Sequence, residues 1–171
     1  MNKAMLCVGL TAMLSTAVLP KGVDPETVVS FSDRELVLCV RTVKPITEDD
    51  RILMAKLLYV ECRGESAECQ SGICSVLYNR YRSGKYMSMS DVIYEDSQFA
   101  ADNLDAVDGD KLTDLLRIVD DIIDNGPTLP AYVIYFRANE YHTFSDAHDF
   151  VKIDDTCFSY SRKLYKKYER E

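Results

Sequence analysis

Apolar residues recur three and four positions apart in three blocks of this chain, and each block predicts a helix with one face turned to a core. The first block runs through Leu53, Met54, Leu57 and Leu58 and closes on Glu61. Thr47 precedes it, followed by Glu48, Asp49 and Asp50, so a hydroxyl N-cap and three acids meet the positive end of the helix dipole. Gly64 ends this helix. A second helix is predicted over 67–81, with Cys69, Ile73, Val76, Leu77 and Arg80 on its inner side. Ser90-Asp91-Val92-Ile93-Tyr94 predicts a short helical turn, and 97–110, rich in Asp and Asn, a loop. Asp110 is read as the cap of a third helix, in which Leu112, Leu115, Leu116, Val119, Ile122 and Ile123 form the apolar face and Gly126-Pro127 the stop.

The pattern changes after Pro127. Tyr132-Val133-Ile134-Tyr135-Phe136 is dense in β-branched and aromatic residues and predicts a strand, and 156–160 predicts a second. Residues 161–171 read as a charged amphipathic helix or tail. Residues 20–46 read as a linker or packed N-terminal arm with one apolar run over 35–43, punctuated by Pro20, Pro25 and Pro45. The first 19 residues hold Lys3, an almost uncharged stretch, and a small-x-small site at Ser15-Thr16-Ala17, which predicts a secretory signal peptide. The alternative there is an amphipathic or buried N-terminal helix. The stretch is short for a membrane span of about 20 residues, so no integral span is expected once the signal is removed. The expected fold class is α+β, mainly helical, with a single catalytic domain over 47–160 and a small sheet.

Composition narrows the partners. The net charge of −8 argues against nucleic acid and against simple attraction to anionic membranes. There is no Trp, but 11 Tyr offer rings that can stack on the apolar faces of sugars. Six cysteines become five if the signal is removed; no C-x-x-C occurs and the only histidines are His142 and His148, so neither a structural zinc nor any other metal or cofactor is expected. Cys69 and Cys74 point about 140° apart on one helix, so they do not bridge each other. Most of the thiols read as small core hydrophobes. Asp102, Asp105, Asp108 and Asp110 invite a calcium loop, but with Gly109 at the sixth position the first ligand falls on Leu104, which leaves a solvated acidic loop. A thiol–imidazole pair of Cys62 with His142 or His148 is a weaker alternative, with no supporting motif around Cys62.

The residue that changes the picture is Glu61. A carboxyl at the end of an apolar stripe loses hydration, its pKa rises, and an acid still protonated near neutrality can protonate a glycosidic oxygen. Arg63 is expected to pair with Glu65 and leave Glu61 free. Gln98, Tyr135 and Phe136 are candidate sugar-binding residues, since amides and aromatic faces suit acetamido sugars. Asn79, beside Arg80, either braces a loop or contacts sugar.

Tyr59-Val60-Glu61-Cys62-Arg63-Gly64-Glu65-Ser66 resembles the aromatic-x-Glu-Ala-Arg-Gly-Glu signature of cell wall hydrolases of the SleB type, the spore cortex-lytic family. The likeness continues through Gln70 and through Val76-Leu77-Tyr78-Asn79-Arg80, similar to that family's Val-Leu-Asn-Arg helix with one residue more. Ser90 to Tyr94 and Ser97-Gln98-Phe99 are similar to its Val-Ile-Tyr and Gly-Gln-Phe-Ser loop, and Tyr135-Phe136 to its late Tyr-Phe strand. The ordered set spans 52–158. The resemblance implies a lysozyme-like fold and cleavage of the MurNAc–GlcNAc bond of peptidoglycan glycan strands by a monomeric lytic transglycosylase. Glu61 falls on the single catalytic glutamate. It would protonate the glycosidic oxygen and then take the proton from the muramic C6 hydroxyl as a 1,6-anhydro ring closes. That route needs no second carboxylate, whereas the usual hydrolytic routes need two. The enzyme is expected to be secreted or envelope-associated, or cytoplasmic until lysis if phage-encoded. The chain departs from the family pattern at Ala100 (for Ser), at Arg137-Ala138-Asn139 after Tyr-Phe, and at Thr156 (for His). The alternatives are an inactive wall-binding protein on the same fold and a hydrolytic muramidase.

Overall fold

The computed structural model describes residues 28–32, 35–39, 44–96 and 98–170. The expected signal peptide lies outside them, as do most of the linker and Ser97. The chain forms two units, Met1–Val43 and Lys44–Glu171. In the first, strands β1 (Val28–Ser32) and β2 (Glu35–Cys39) pair antiparallel, with Val28 opposite Cys39 and Ser32 opposite Glu35. The apolar run over 35–43 thus includes a strand, and β1 is an element that the hydrophobic pattern does not announce.

The second unit is an α+β domain of helices beside a small sheet. Helix α1 (Glu48–Cys62) starts where the sequence says: the Thr47 hydroxyl accepts from the Asp50 N–H at 3.2 Å, and Asp50 returns a bond to the Thr47 N–H at 2.9 Å. This capping box is reciprocal satisfaction of two backbone donors that have no partner within the helix. Gly64 ends α1 with φ +96°, a conformation that side-chain-bearing residues rarely adopt. Helix α2 (Ala67–Arg82) is capped by Ser66 and runs through the middle of the unit, touching α1, α4 and β3. Helix α3 (Met89–Ile93) is the short turn predicted near Ser90, with its own capping box between Ser88 and Asp91.

The loop 97–110 contains two 3-10 turns, Ala101–Ala106 and Gly109–Lys111. Asp108, not Asp110, provides the local cap, accepting from the Asp110 N–H at 3.2 Å. Helix α4 therefore begins later than the sequence suggests, at Thr113, and runs to Asn125, where Gly126 (φ +96°) stops it. Asp110 fails as its cap because it is already inside the preceding turn.

Strands β3 (Val133–Ala138), β4 (Ala147–Ile153) and β5 (Thr156–Ser161) form an antiparallel sheet in the order β3-β5-β4. β5, in the middle, is buried along most of its length; β4, at the edge, is not, and its mixed sequence hides it from pattern reading. Helix α5 (Arg162–Tyr168) follows β5 directly and belongs to the same unit.

Met54, Leu57, Leu58, Ile73, Val76, Leu77, Val119, Ile122 and Phe158 make up the core, each no more than 1% exposed. These are the stripes read from the sequence, supplemented by the central strand. Gly72 allows a close approach of α2 to the sheet: a Cβ there would lie 2.8 Å from Cζ of Phe158. Cys62, Cys69, Cys74 and Cys157 are buried free thiols. Burial pushes the Cys74 thiol from 9.0 to about 12 and drives Cys62 higher still. They are core hydrophobes, as expected. No helix among the described residues is long and apolar enough to cross a membrane.

Candidate active site

Glu61 sits in the last turn of α1, where the apolar stripe meets the surface, and its side chain is half-buried rather than enclosed. Its Oε1 accepts a hydrogen bond from the backbone N–H of Ala100 at 2.6 Å. One helix end and one loop, 39 residues apart in sequence, are thereby joined. The C-terminal end of α1 is fixed from the other side as well: the Gln70 side-chain amide donates to the Cys62 carbonyl at 3.2 Å. Arg63 does not pair with Glu65 as the sequence suggests. Its guanidinium lies over the Tyr59 ring at 5.5 Å and donates to the phenol oxygen at 3.4 Å. That hydrogen bond is the main cause that lowers the Tyr59 pKa. Stacking within one helical turn wins because residues four apart share a face.

The loop that meets Glu61 is anchored by Arg80. This guanidinium is 5% exposed. Its Nη1 donates to Gln98 Oε1 at 3.0 Å; its Nη2 donates to the Tyr86 hydroxyl at 2.9 Å and pairs with the Glu95 carboxylate. It also lies over the Phe99 ring at 5.2 Å. Lys85 is the second cation on Glu95. Burial alone would raise the Glu95 pKa, but the hydrogen bonds from Lys85 and Tyr86 and the charges of Arg80 and Lys85 outweigh it and hold the carboxyl below its usual value. A planar fork of five donors is what lets one side chain hold two loop residues at once.

Arg80, Gln98, Phe99, Tyr135, Phe136 and His142 together line a cavity of about 80 Å³. Phe99 and Phe136 meet at 5.8 Å between ring centres, and Phe136 continues to Phe158 in the core at 6.5 Å. Phe144 stands edge-on to Tyr135 at 4.9 Å. Burial raises the Tyr135 phenol above its ordinary value. His142 Nε2 lies 3.1 Å from the Phe136 carbonyl, which orients the ring.

Three of the candidate sugar-binding residues, Gln98, Tyr135 and Phe136, therefore line a single cavity. Glu61 does not line it; its link to the cavity is the bond to Ala100, the residue after Phe99. Asn79 is elsewhere. It is 3% exposed, and its side-chain amide donates to the carbonyls of Leu129, Pro130 and Val133 at 3.3, 2.9 and 3.0 Å. Both amide hydrogens are engaged by the segment leading into β3, so Asn79 is a brace and not a ligand-facing group. Arg80, Tyr86 and Glu95 were not marked as site residues by the sequence. Their signal is non-local: nothing in the spacing of 80, 86 and 95 says they share one network.

Among the described residues one mixed group, Glu65, Cys69 and Asp154, brings its donor atoms within 4.8 Å of one another. Asp154 already accepts from the Ser66 N–H at 2.9 Å. Burial raises the Cys69 thiol, so the proton loss that a metal ligand needs is opposed there. The acidic loop residues Asp102, Asp105, Asp108 and Asp110 are exposed.

Comparison with protein-family models, with curated proteins and with solved structures finds no match to this chain.

Proposed function

We propose that this chain is a peptidoglycan-degrading enzyme of lysozyme-like fold that cleaves the MurNAc–GlcNAc bond as a lytic transglycosylase, with Glu61 as the acid and then the base. The observation that carries this reading is the hydrogen bond from the Ala100 N–H to Glu61 Oε1. It ties the carboxylate to the loop that also supplies Gln98 and Phe99 to an aromatic, amide-bearing cavity, which Glu61 itself does not line. A half-buried carboxylate in that position can reach solvent-borne substrate and still be oriented by the protein. At about 80 Å³ the cavity is too small to enclose a sugar, so the acetamido sugar would lie across its mouth, against the exposed Gln98 and Phe144. The sequence likeness around Glu61 supports the same assignment. No step in the route calls for a metal or cofactor.

The test is clearance of purified cell walls. The wild-type chain lowers the turbidity of a wall suspension, and Glu61→Gln, with unchanged circular dichroism, does not. Clearance by Glu61→Gln at the wild-type rate removes the assignment. Wall pull-down by both proteins, with no clearance by either, turns the reading into that of an inactive wall-binding protein.

A further inference from the structure

The strongest feature outside the site is on α5. Lys163, Lys166, Lys167 and Arg170 stand at i, i+3, i+4 and i+7, a single stripe along one helical face. All four are exposed, and together they line an open hollow of about 440 Å³. None of them forms an ion pair with a carboxylate among the described residues; Lys152 and Arg137, by contrast, are each paired to an acid on their own hairpin. The chain carries a net charge of −8, so an uncompensated run of four cations stands against its overall balance.

The helix is rigidly presented. Ser161 caps it, and Asp146 binds its first turn, accepting from the Ser161 hydroxyl at 2.5 Å and from the Lys163 N–H at 3.1 Å. Its other face is aromatic: Tyr165 meets Tyr132 edge-on at 5.0 Å and Tyr160 at 5.3 Å. Tyr165 is turned to the sheet, and the Lys167 ammonium lies over the ring of half-buried Tyr168 at 5.8 Å.

We infer that this stripe docks a flexible, base-free chain of phosphates. Four cations over about 10 Å of helix suit several anionic groups spaced along one strand. A slender chain feels mainly these four charges, because the acidic remainder is screened beyond about 8 Å at physiological salt. A membrane or a duplex is broad and brings its anions against that acidic remainder. Single-stranded nucleic acid is held largely by stacking on exposed aromatic rings, and the two rings of α5 are already engaged, Tyr165 by Tyr132 and Tyr160 and Tyr168 by Lys167. The inference is independent of Glu61 and of wall cleavage.

The test is titration of the full chain with short-chain inorganic polyphosphate, followed by calorimetry at several salt concentrations. Binding is expected, with log K falling against log salt at a slope of about −2 to −3 for up to four phosphate contacts. Lys166→Gln/Lys167→Gln weakens it roughly tenfold or more. Lys166→Arg/Lys167→Arg preserves it, as does Arg117→Gln on α4. Lack of polyphosphate binding overturns the inference. So does binding that the Gln pair leaves intact. Equal or tighter binding of anionic lipid vesicles, or of a single-stranded oligonucleotide, overturns the assigned occupant.

Discussion

Replacing Gly72 by alanine tests the close approach of α2 to Phe158. Two effects oppose each other. Alanine is favoured over glycine in a helix interior by about 1 kcal/mol, which stabilises α2. The added methyl, however, lies 2.8 Å from Cζ of Phe158 and 3.1 Å from one Cε. Phe158 is fully buried, and its ring is held against Phe136, so it has no open space to swing into. Overpacking of this kind costs about 1–3 kcal/mol. The net expectation is a loss of about 1 kcal/mol, or roughly 4 °C in Tm for a unit of this size. Urea unfolding, read as a shift in midpoint at constant slope, measures it. Phe158→Leu opens room for the methyl. In that background Gly72→Ala should stabilise by about 1 kcal/mol, an interaction energy of about 2 kcal/mol between the two positions. Stabilisation by Gly72→Ala in the wild-type background, additive with Phe158→Leu, would mean that Phe158 does not crowd position 72. The contact also reaches the candidate site, because Phe158 touches Phe136 and Phe136 lines the cavity.

Further outcomes follow from the same contacts. Arg80→Met removes the buried guanidinium that holds Gln98 and Glu95; since Lys85 stays on Glu95, a loss of about 2–3 kcal/mol is expected by urea unfolding, with wall clearance falling further than stability does. Arg80→Lys should rescue little of it, because an ammonium cannot reproduce the fork. Asn79→Ala leaves backbone carbonyls ahead of β3 without their donor and should cost about 2–3 kcal/mol, with the KM for wall substrate unchanged in the folded fraction. The Cys62 and Cys74 thiols have folded pKa values raised from 9.0 by burial, so the native state keeps their protons longer than the unfolded chain does. Their contribution to stability is whole below about pH 9 and is lost as pH rises, by about 1.4 kcal/mol per pH unit for each thiol; urea midpoints at about pH 8 and about pH 10 measure it.

The helices were legible because their signals are local. Thr47 with Asp50, the glycines at 64 and 126, and the apolar stripes of α1, α2 and α4 each declare themselves within a few residues. β3 and β5 were legible from their β-branched and aromatic content. β4 was not: an edge strand reading Ala-His-Asp-Phe-Val-Lys-Ile has no clean alternation, because neither of its faces is fully covered. The start of α4 was misplaced because Asp110 looks like a cap in sequence but is held inside a 3-10 turn by Asp108. At the site, Gln98, Tyr135 and Phe136 could be picked out by chemistry. The partner of Glu61 could not, since it is a backbone N–H and Ala100 carries no signal of it. The apolar enclosure expected around Glu61 is only partial, because the buried side of α1 runs through Leu58 and Cys62 and leaves Glu61 half-exposed beside them. Asn79 was ambiguous in sequence, and three carbonyls from a distant segment decide its role.

The most direct measurement is mass spectrometry of the soluble fragments released from purified walls by the wild-type chain and by Glu61→Gln. The account predicts fragments ending in 1,6-anhydro-muramic acid, lighter by one water than hydrolytic products, from the wild type and none from the variant. Fully hydrated ends from the wild type would contradict the transglycosylase route, and anhydro ends from Glu61→Gln would contradict the role given to Glu61.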